Sequence, residues 1–149
     1  MNIKEILYKK CNDYVEKRVQ TIQNSVNEIE ESMLSETRSS AGDKHETGRA
    51  MLQLEREKAG QQLAEAQKLK ETLSKIDIAS TSKNICLGSV VYTTHINYFI
   101  SISAGKLTID NTDFFAVSSL SPIGQLLLSK QVDDEINFRE MKFTIKEIQ

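Results

Sequence analysis

The sequence predicts an α+β protein, with an N-terminal antiparallel α-helical coiled-coil hairpin and a C-terminal β-rich domain holding one short helix. Three observations predict it. The first 84 residues are rich in Glu, Lys, Gln, Leu and Ala and carry 14 acidic and 14 basic side chains, while seven of the nine aromatics and the only proline lie beyond residue 85. Apolar residues in the first part recur on a narrow heptad stripe. In the second part they form short β-branched and aromatic runs separated by turn residues.

The heptad stripe is Val15, Val19, Ile22, Val26, Ile29 and Met33, at spacings of four, three, four, three and four. A stripe this narrow suits a coiled-coil seam better than the broad apolar face of a globular-core helix. Upstream, Leu7, Cys11 and Val15 step by four and four, a local slip from the heptad. The second stripe runs Leu52, Ala59, Leu63, Ala66, Leu69 (or Lys70), Leu73 and Ile76, and Thr37 to Asp43 interrupts the pattern with small residues and glycine. A short connection between helices of similar length makes antiparallel neighbours. Arms of about 33 residues would each be roughly 50 Å long at 1.5 Å per residue. Val19, Ile22, Val26 and Ile29 are expected to face Leu63, Ala66, Leu69 and Leu73 or their close neighbours. The finger is thus placed at residues 1–78 with its tip near 38–46, a polar linker at 79–84, and the β-rich domain at 85–149.

In that domain, Ser89 to Thr93, Ile96 to Ser101, Lys106 to Ile109 and Asp113 to Val117 read as successive strands, with a turn at Ala104-Gly105. Ser121-Pro122 opens a short helix, serine as N-cap and proline at the first helical position. Ile123 to Leu128 is apolar enough to lie on a sheet. Asp134 to Phe138 and Met141 to Ile148 close the chain as a hairpin.

Composition narrows the function. A formal charge of −2 and a pI near 5.8 give no global basic field to recruit nucleic acid. Cys11 and Cys86 are too far apart and too few for a disulfide framework or a metal knuckle, which leaves reduced thiols. The charged N-terminus has no signal-peptide pattern, and no apolar stretch approaches membrane-spanning length. A cytoplasmic, soluble protein with no membrane association is expected. Nucleophile-elbow and phosphate-loop patterns are absent, so the residues do not argue for an enzyme in its own right.

The run Ser121-Pro122-Ile123-Gly124-Gln125-Leu126-Leu127-Leu128-Ser129-Lys130, followed by Gln131 to Ile136, resembles the C-terminal signature of the GreA/GreB transcription elongation factor family, an S-P-I-G-x-A-L-L-G-K run followed by G-D-x-V. Leu87-Gly88-Ser89-Val90-Val91 is similar to the family's first β-strand, and Phe143 to Ile148 to its closing strand. Ser129 and Asp133 replace two family glycines. The resemblance covers the second half in detail and the first half in architecture. It implies an FKBP-like C-terminal domain that docks on RNA polymerase through Ser121, Pro122, Ile123 and Gly124. It also implies a coiled coil that enters the secondary channel and stimulates cleavage of backtracked RNA near the nascent 3′ end. The partner would be RNA polymerase, the chain a monomer, and the factor an accessory without activity of its own.

At the tip the family carries G-D-x-x-E-N-A-E-Y, and this chain reads Gly42-Asp43-Lys44-His45-Glu46-Thr47-Gly48-Arg49-Ala50. The acidic pair matches at Asp43 and Glu46; the residues after it do not. The resemblance implies that this pair assists a Mg²⁺ shared with the polymerase, the chain having no cofactor of its own. Two carboxylates cannot supply the roughly six oxygens that Mg²⁺ takes, so the metal site would exist only in complex. Asp-x-x-Glu at a helix start is also a capping box, which satisfies orphan N–H groups with no catalysis implied. His45 beside the pair is more simply an exposed polar residue than a base. Arg38, Lys44, Arg49, Arg56 and Lys58 read as a solvated face that could touch RNA. From Glu36 to Arg49 three acids face three cations. That balance keeps a second reading open, a secondary-channel regulator or inhibitor without cleavage activity. A third is a coiled-coil adaptor or FKBP-like chaperone unrelated to transcription, although a prolyl isomerase would need an aromatic-lined pocket.

Overall fold

A computed structural model describes residues 2–38 and 43–149, except for the side chains of 37–38 and 43–46. The chain divides into two compact units, Val15–Leu69 and a second built from Met1–Tyr14 together with Lys70–Gln149.

The first unit is a helical hairpin cut from α1 (Ile3–Arg38) and α2 (Asp43–Ser74). Its helices run antiparallel: Glu30 on α1 meets Arg56 on α2 at 3.3 Å, and nearer the connection Glu36 lies against Gly48. Ile22, Val26, Ala59 and Ala66 are buried between the helices, with Val19, Ile29 and Leu63 packed against them. Large side chains on α1 therefore meet mainly alanines on α2, the large-against-small alternation that lets two helices interdigitate. The four α1 residues expected to face α2, Val19, Ile22, Val26 and Ile29, are all in the cluster, while Val15 and Met33 of the longer stripe are not. Of the expected α2 partners, Leu63 and Ala66 are in it and Leu69 is not; the cluster extends instead to Ala59, nearer the connection, and Leu73 is buried in the other unit.

That second unit contains the base of both helices and a six-stranded sheet. The strands are β1 (Val90–Thr93), β2 (Asn97–Ser101), β3 (Gly105–Ile109), β4 (Thr112–Ser118), β5 (Glu135–Phe138) and β6 (Met141–Ile148), with α3 (Pro122–Leu127) between β4 and β5. Their order across the sheet is β3-β4-β2-β1-β6-β5. Every pairing is antiparallel except β2 with β4, where Asn97 to Ser101 run beside Phe114 to Ser118 in parallel. The parallel pair arises because the chain leaves β2, turns back as β3, and returns through the tight Asp110-Asn111 turn, both residues at positive φ. Those residue types tolerate the left-handed region best among non-glycines.

Strands alternate their side chains between faces, and β2 is buried on both. Tyr98 and Ile100 join Val91, Phe143, Ile145 and the α3 residues Ile123 and Leu127 in one core. Phe99 and Ser101 face the other way and are also buried. On that side lies the base of α1, where the Cys11 thiol comes within hydrogen-bond reach of the Ser101 hydroxyl. The four-and-four step from Leu7 to Cys11 thus belongs to a helix lying on a sheet rather than to a coiled-coil seam. Gly88, at φ 92, is a close approach to the chain just past α2: a Cβ there would stand 2.9 Å from Ile76 Cγ2.

Candidate functional site

The segment carrying the family resemblance is built around a single backbone oxygen. The carbonyl of Ser118, at the end of β4, accepts from the Ser121 amide at 3.1 Å and from the Ser121 hydroxyl at 2.6 Å. The same hydroxyl accepts from the Gly124 amide at 3.1 Å, capping α3, and Pro122 stands at the start of the helix. Serine supplies the cap oxygen and proline the fixed φ that a helix start favours. Ile123 and Leu127, four apart, point into the core. Gly124 admits no other residue: a Cβ would sit 2.1 Å from the Ser118 oxygen. Gln125 Nε2 donates to the Ser119 carbonyl at 2.7 Å and ties the helix back to the loop before it.

Of the four residues expected to dock, Ile123 and Gly124 are buried and shape the segment from within, and Ser121 is half-buried as the cap. Pro122 is exposed. The outward apolar residues are ones the sequence reading did not single out: Leu120 at 83 % exposure, Leu126 at 39 % and Val132 at 45 %. Pro122 and Leu126, four apart, share a face of α3 about 100° round from that of Ile123 and Leu127. The sequence did hold a signal for them. Leu126, Leu127 and Leu128 in a row cannot all face one sheet from a helix only six residues long.

Between α3 and β5 the chain twice enters the left-handed region. Ser129 (φ 70) and Asp133 (φ 75) stand where the signature the segment resembles has glycine. Ser129 stands just past the C-cap Leu128 and donates its amide to Ile85 at 2.8 Å, and Asp133 donates to Ile145 at 2.8 Å. Both residues hold a left-handed backbone conformation that glycine adopts with less strain.

Asp43 and Glu46 fall on the first turn of α2, three apart. Their side chains, with those of Arg38, Lys44 and His45, lie outside the described residues. Arg56 is held by Glu30, so of the basic group near the tip this cation is engaged within the hairpin. Among the described residues no group of three or more His, Cys, Asp or Glu could hold a metal ion. Nor is any described helix long and apolar enough to cross a membrane.

A cavity of about 440 Å³ lies at the base of α1, lined by Asn2, Lys4, Glu5, Ile78 and Thr81 among others. Its lining is polar and aliphatic, unlike the aromatic cradle a prolyl isomerase needs. Lys4 is buried there, and its ammonium donates to the Ser80 carbonyl at 2.6 Å. Desolvation lowers its pKa, against the opposing influence of Cys86 and Asp77. Cys11 and Cys86 are both free thiols.

No protein-family model matches the chain, and no curated protein does so by sequence. Among solved structures, the chain is similar to one described as the transcription factor Gfh1, with 19 % identity over 95 % of this chain and 92 % of that one and a TM-score of 0.34.

Proposed function

We propose that this chain is a Gre-type transcription elongation factor. Its β-rich domain docks on RNA polymerase through α3 and the residues leading into it. The hairpin enters the secondary channel, and the tip acts on backtracked RNA at its 3′ end. The observation that carries the reading is the use made of Ser121-Pro122-Ile123-Gly124, the run the chain shares with the family. Ser121 caps, Pro122 starts the helix, Ile123 anchors it in the core, and Gly124 permits contact with the Ser118 carbonyl. The outcome is a helix and its leading loop that present Leu120, Pro122 and Leu126 to solvent. Exposed apolar residues grouped on a fixed support are what a protein partner can bury.

In this reading the chain is a monomer, since its seam closes between its own two helices. It works in the cytoplasm beside the polymerase and has no catalytic activity alone. Asp43 and Glu46 are the acids offered to a Mg²⁺ held by the polymerase. A metal ion there lowers the pKa of bound water and steadies charge on the phosphate. What the chain contributes is two carboxylates on one helical turn, delivered on arms of 36 and 32 residues.

One observation favours a second reading, a secondary-channel regulator without cleavage activity. After the acidic pair, the family's asparagine, alanine, glutamate and tyrosine give way to Thr47, Gly48, Arg49 and Ala50. The deciding experiment combines purified core polymerase with a stalled, backtracked complex carrying labelled RNA. Binding with added cleavage supports the first reading, and binding with unchanged or suppressed cleavage the second. Absence of binding removes both.

A further inference from the structure

We infer that Glu36 is a positioning residue for the distal end of the hairpin, and that residue 48 is glycine so that the Glu36 carboxylate can lie across α2. This rests on the proposed action of the tip on polymerase. The hairpin's buried residues stop well short of its connection. Past the Glu30–Arg56 pair, none of the side chains at 31–36 or 47–55 is buried. With Met33 and Leu52 only half-buried, this stretch has less packing to hold the helix spacing than the seam below it, and packing rather than propensity stabilises most helices in proteins. In that stretch the structure brings the Glu36 carboxylate against the backbone of Gly48. A Cβ on Gly48 would stand 3.2 Å from Glu36 Oε1, 3.4 Å from Cδ and 3.5 Å from Oε2. Three nearly equal distances mean that the carboxylate covers the glycine rather than touching it with one atom.

Glycine is a poor helix former, second only to proline, and Gly48 stands five residues inside α2, beyond its capping turn. The other glycine of α2 offers a contrast. A Cβ on Gly60 would meet only Arg56 Nη1 at 3.5 Å, an ordinary contact. The approach of a carboxylate therefore distinguishes position 48 from position 60. Glu36 is two residues from the end of α1, and Gly48 is five from the start of α2. Their contact fixes where α2 begins relative to the end of α1, and with it the turn that carries Asp43 and Glu46.

Gly48→Ala separates this role from stability. Alanine favours the helix, and the tip of a glutamate side chain can retreat by a few tenths of an ångström. Hairpin melting should stay level or rise while the carboxylate is displaced. In the backtracked-complex assay, whichever direction wild type moves cleavage, Gly48→Ala and Glu36→Ala should each reduce its effect by roughly five- to tenfold, since small misplacements near reacting groups are costly. Polymerase affinity should stay within about twofold, and the double variant should lose no more than the worse single one, as for two halves of one contact. An effect untouched by either substitution overturns the inference alone. Losses that track falling hairpin stability or weakened affinity, or that multiply in the double variant, overturn it too. A wild type with no effect on polymerase overturns the functional reading, and this inference with it.

Discussion

The thiol of Cys11, on the base of α1, lies 3.6 Å from the hydroxyl of Ser101 on β2, ninety residues away in sequence. Both groups are buried. The contact joins the helical half of the sequence to the β half inside one compact unit, and its chemistry leaves a signature in pH.

Burial raises the Cys11 pKa, with the Ser101 hydrogen bond pulling it partly back. The folded state then holds the thiol proton more tightly than the unfolded chain. Its stabilising contribution is complete below the unfolded value, about 8.5, and is lost as pH climbs through the folded one. Tyr98, also raised by burial, adds to the loss from about pH 10. Lys4 acts oppositely: its lowered pKa means that a buried ammonium costs stability at neutral pH, and the cost fades as the amine deprotonates. Between pH 8 and 10 the Tm should fall for wild type, fall less for Cys11→Ala, and fall more for Lys4→Met. Equal slopes in all three would refute this account.

The crowding at Gly124 predicts a severe substitution. Gly124→Ala drives a methyl into the Ser118 carbonyl, and backbone cannot retreat as a side-chain tip can. A loss of about 3 kcal/mol is expected, at the upper end of ordinary overpacking. Ser121→Ala removes only the cap and should cost about 1 kcal/mol. Urea denaturation that ranks the two equally would show that the loop relaxes around the methyl.

Ser129 and Asp133 predict the reverse, a gain from glycine. A side chain in the left-handed region costs roughly 1–2 kcal/mol, of which glycine's greater unfolded-state freedom returns a part. Ser129→Gly and Asp133→Gly should each stabilise the protein by roughly 0.5–1 kcal/mol on this balance. Thermal melts showing a loss at either position would mean that its side chain contributes more than its φ costs.

Val26 is buried at the centre of the hairpin seam. Val26→Asp places a carboxylate in an apolar seam, at a cost of several kcal/mol. Helical circular dichroism should drop while the β-rich unit stays folded. A hairpin that melts as wild type does would contradict the packing of Ile22, Val26, Ala59 and Ala66.

For the tip, Asp43→Asn and Glu46→Gln should abolish most cleavage stimulation with affinity nearly unchanged. A carboxylate that serves a metal-bound water acts chiefly in the transition state, so its removal lowers rate rather than binding. As a lost cap, either change should lower stability by about 1 kcal/mol at most. Stimulation that survives both substitutions would move attention to His45.

The sequence by itself determined the two helices, the six strands within a residue or two at each end, and α3 with its serine cap and proline start. These are local matters. Heptad spacing, β-branched runs and the conformational limits of serine, proline and glycine act over a few residues, so their signals lie in consecutive positions. Tertiary structure alone decided that Leu7, Cys11, Leu73 and Ile76 belong with the sheet unit, because a four-residue step on a helix looks the same against a helix or a sheet. It alone decided the parallel pairing of β2 with β4, since register between strands depends on how the chain returns. At the candidate site, the sequence marked Ser121 to Gly124 without distinguishing the buried supports, Ile123 and Gly124, from the outward Leu120, Pro122 and Leu126. Which side of a six-residue helix meets the core depends on where β4 ends and β5 begins; the leucine run shows only that not all of Leu126 to Leu128 can face the sheet.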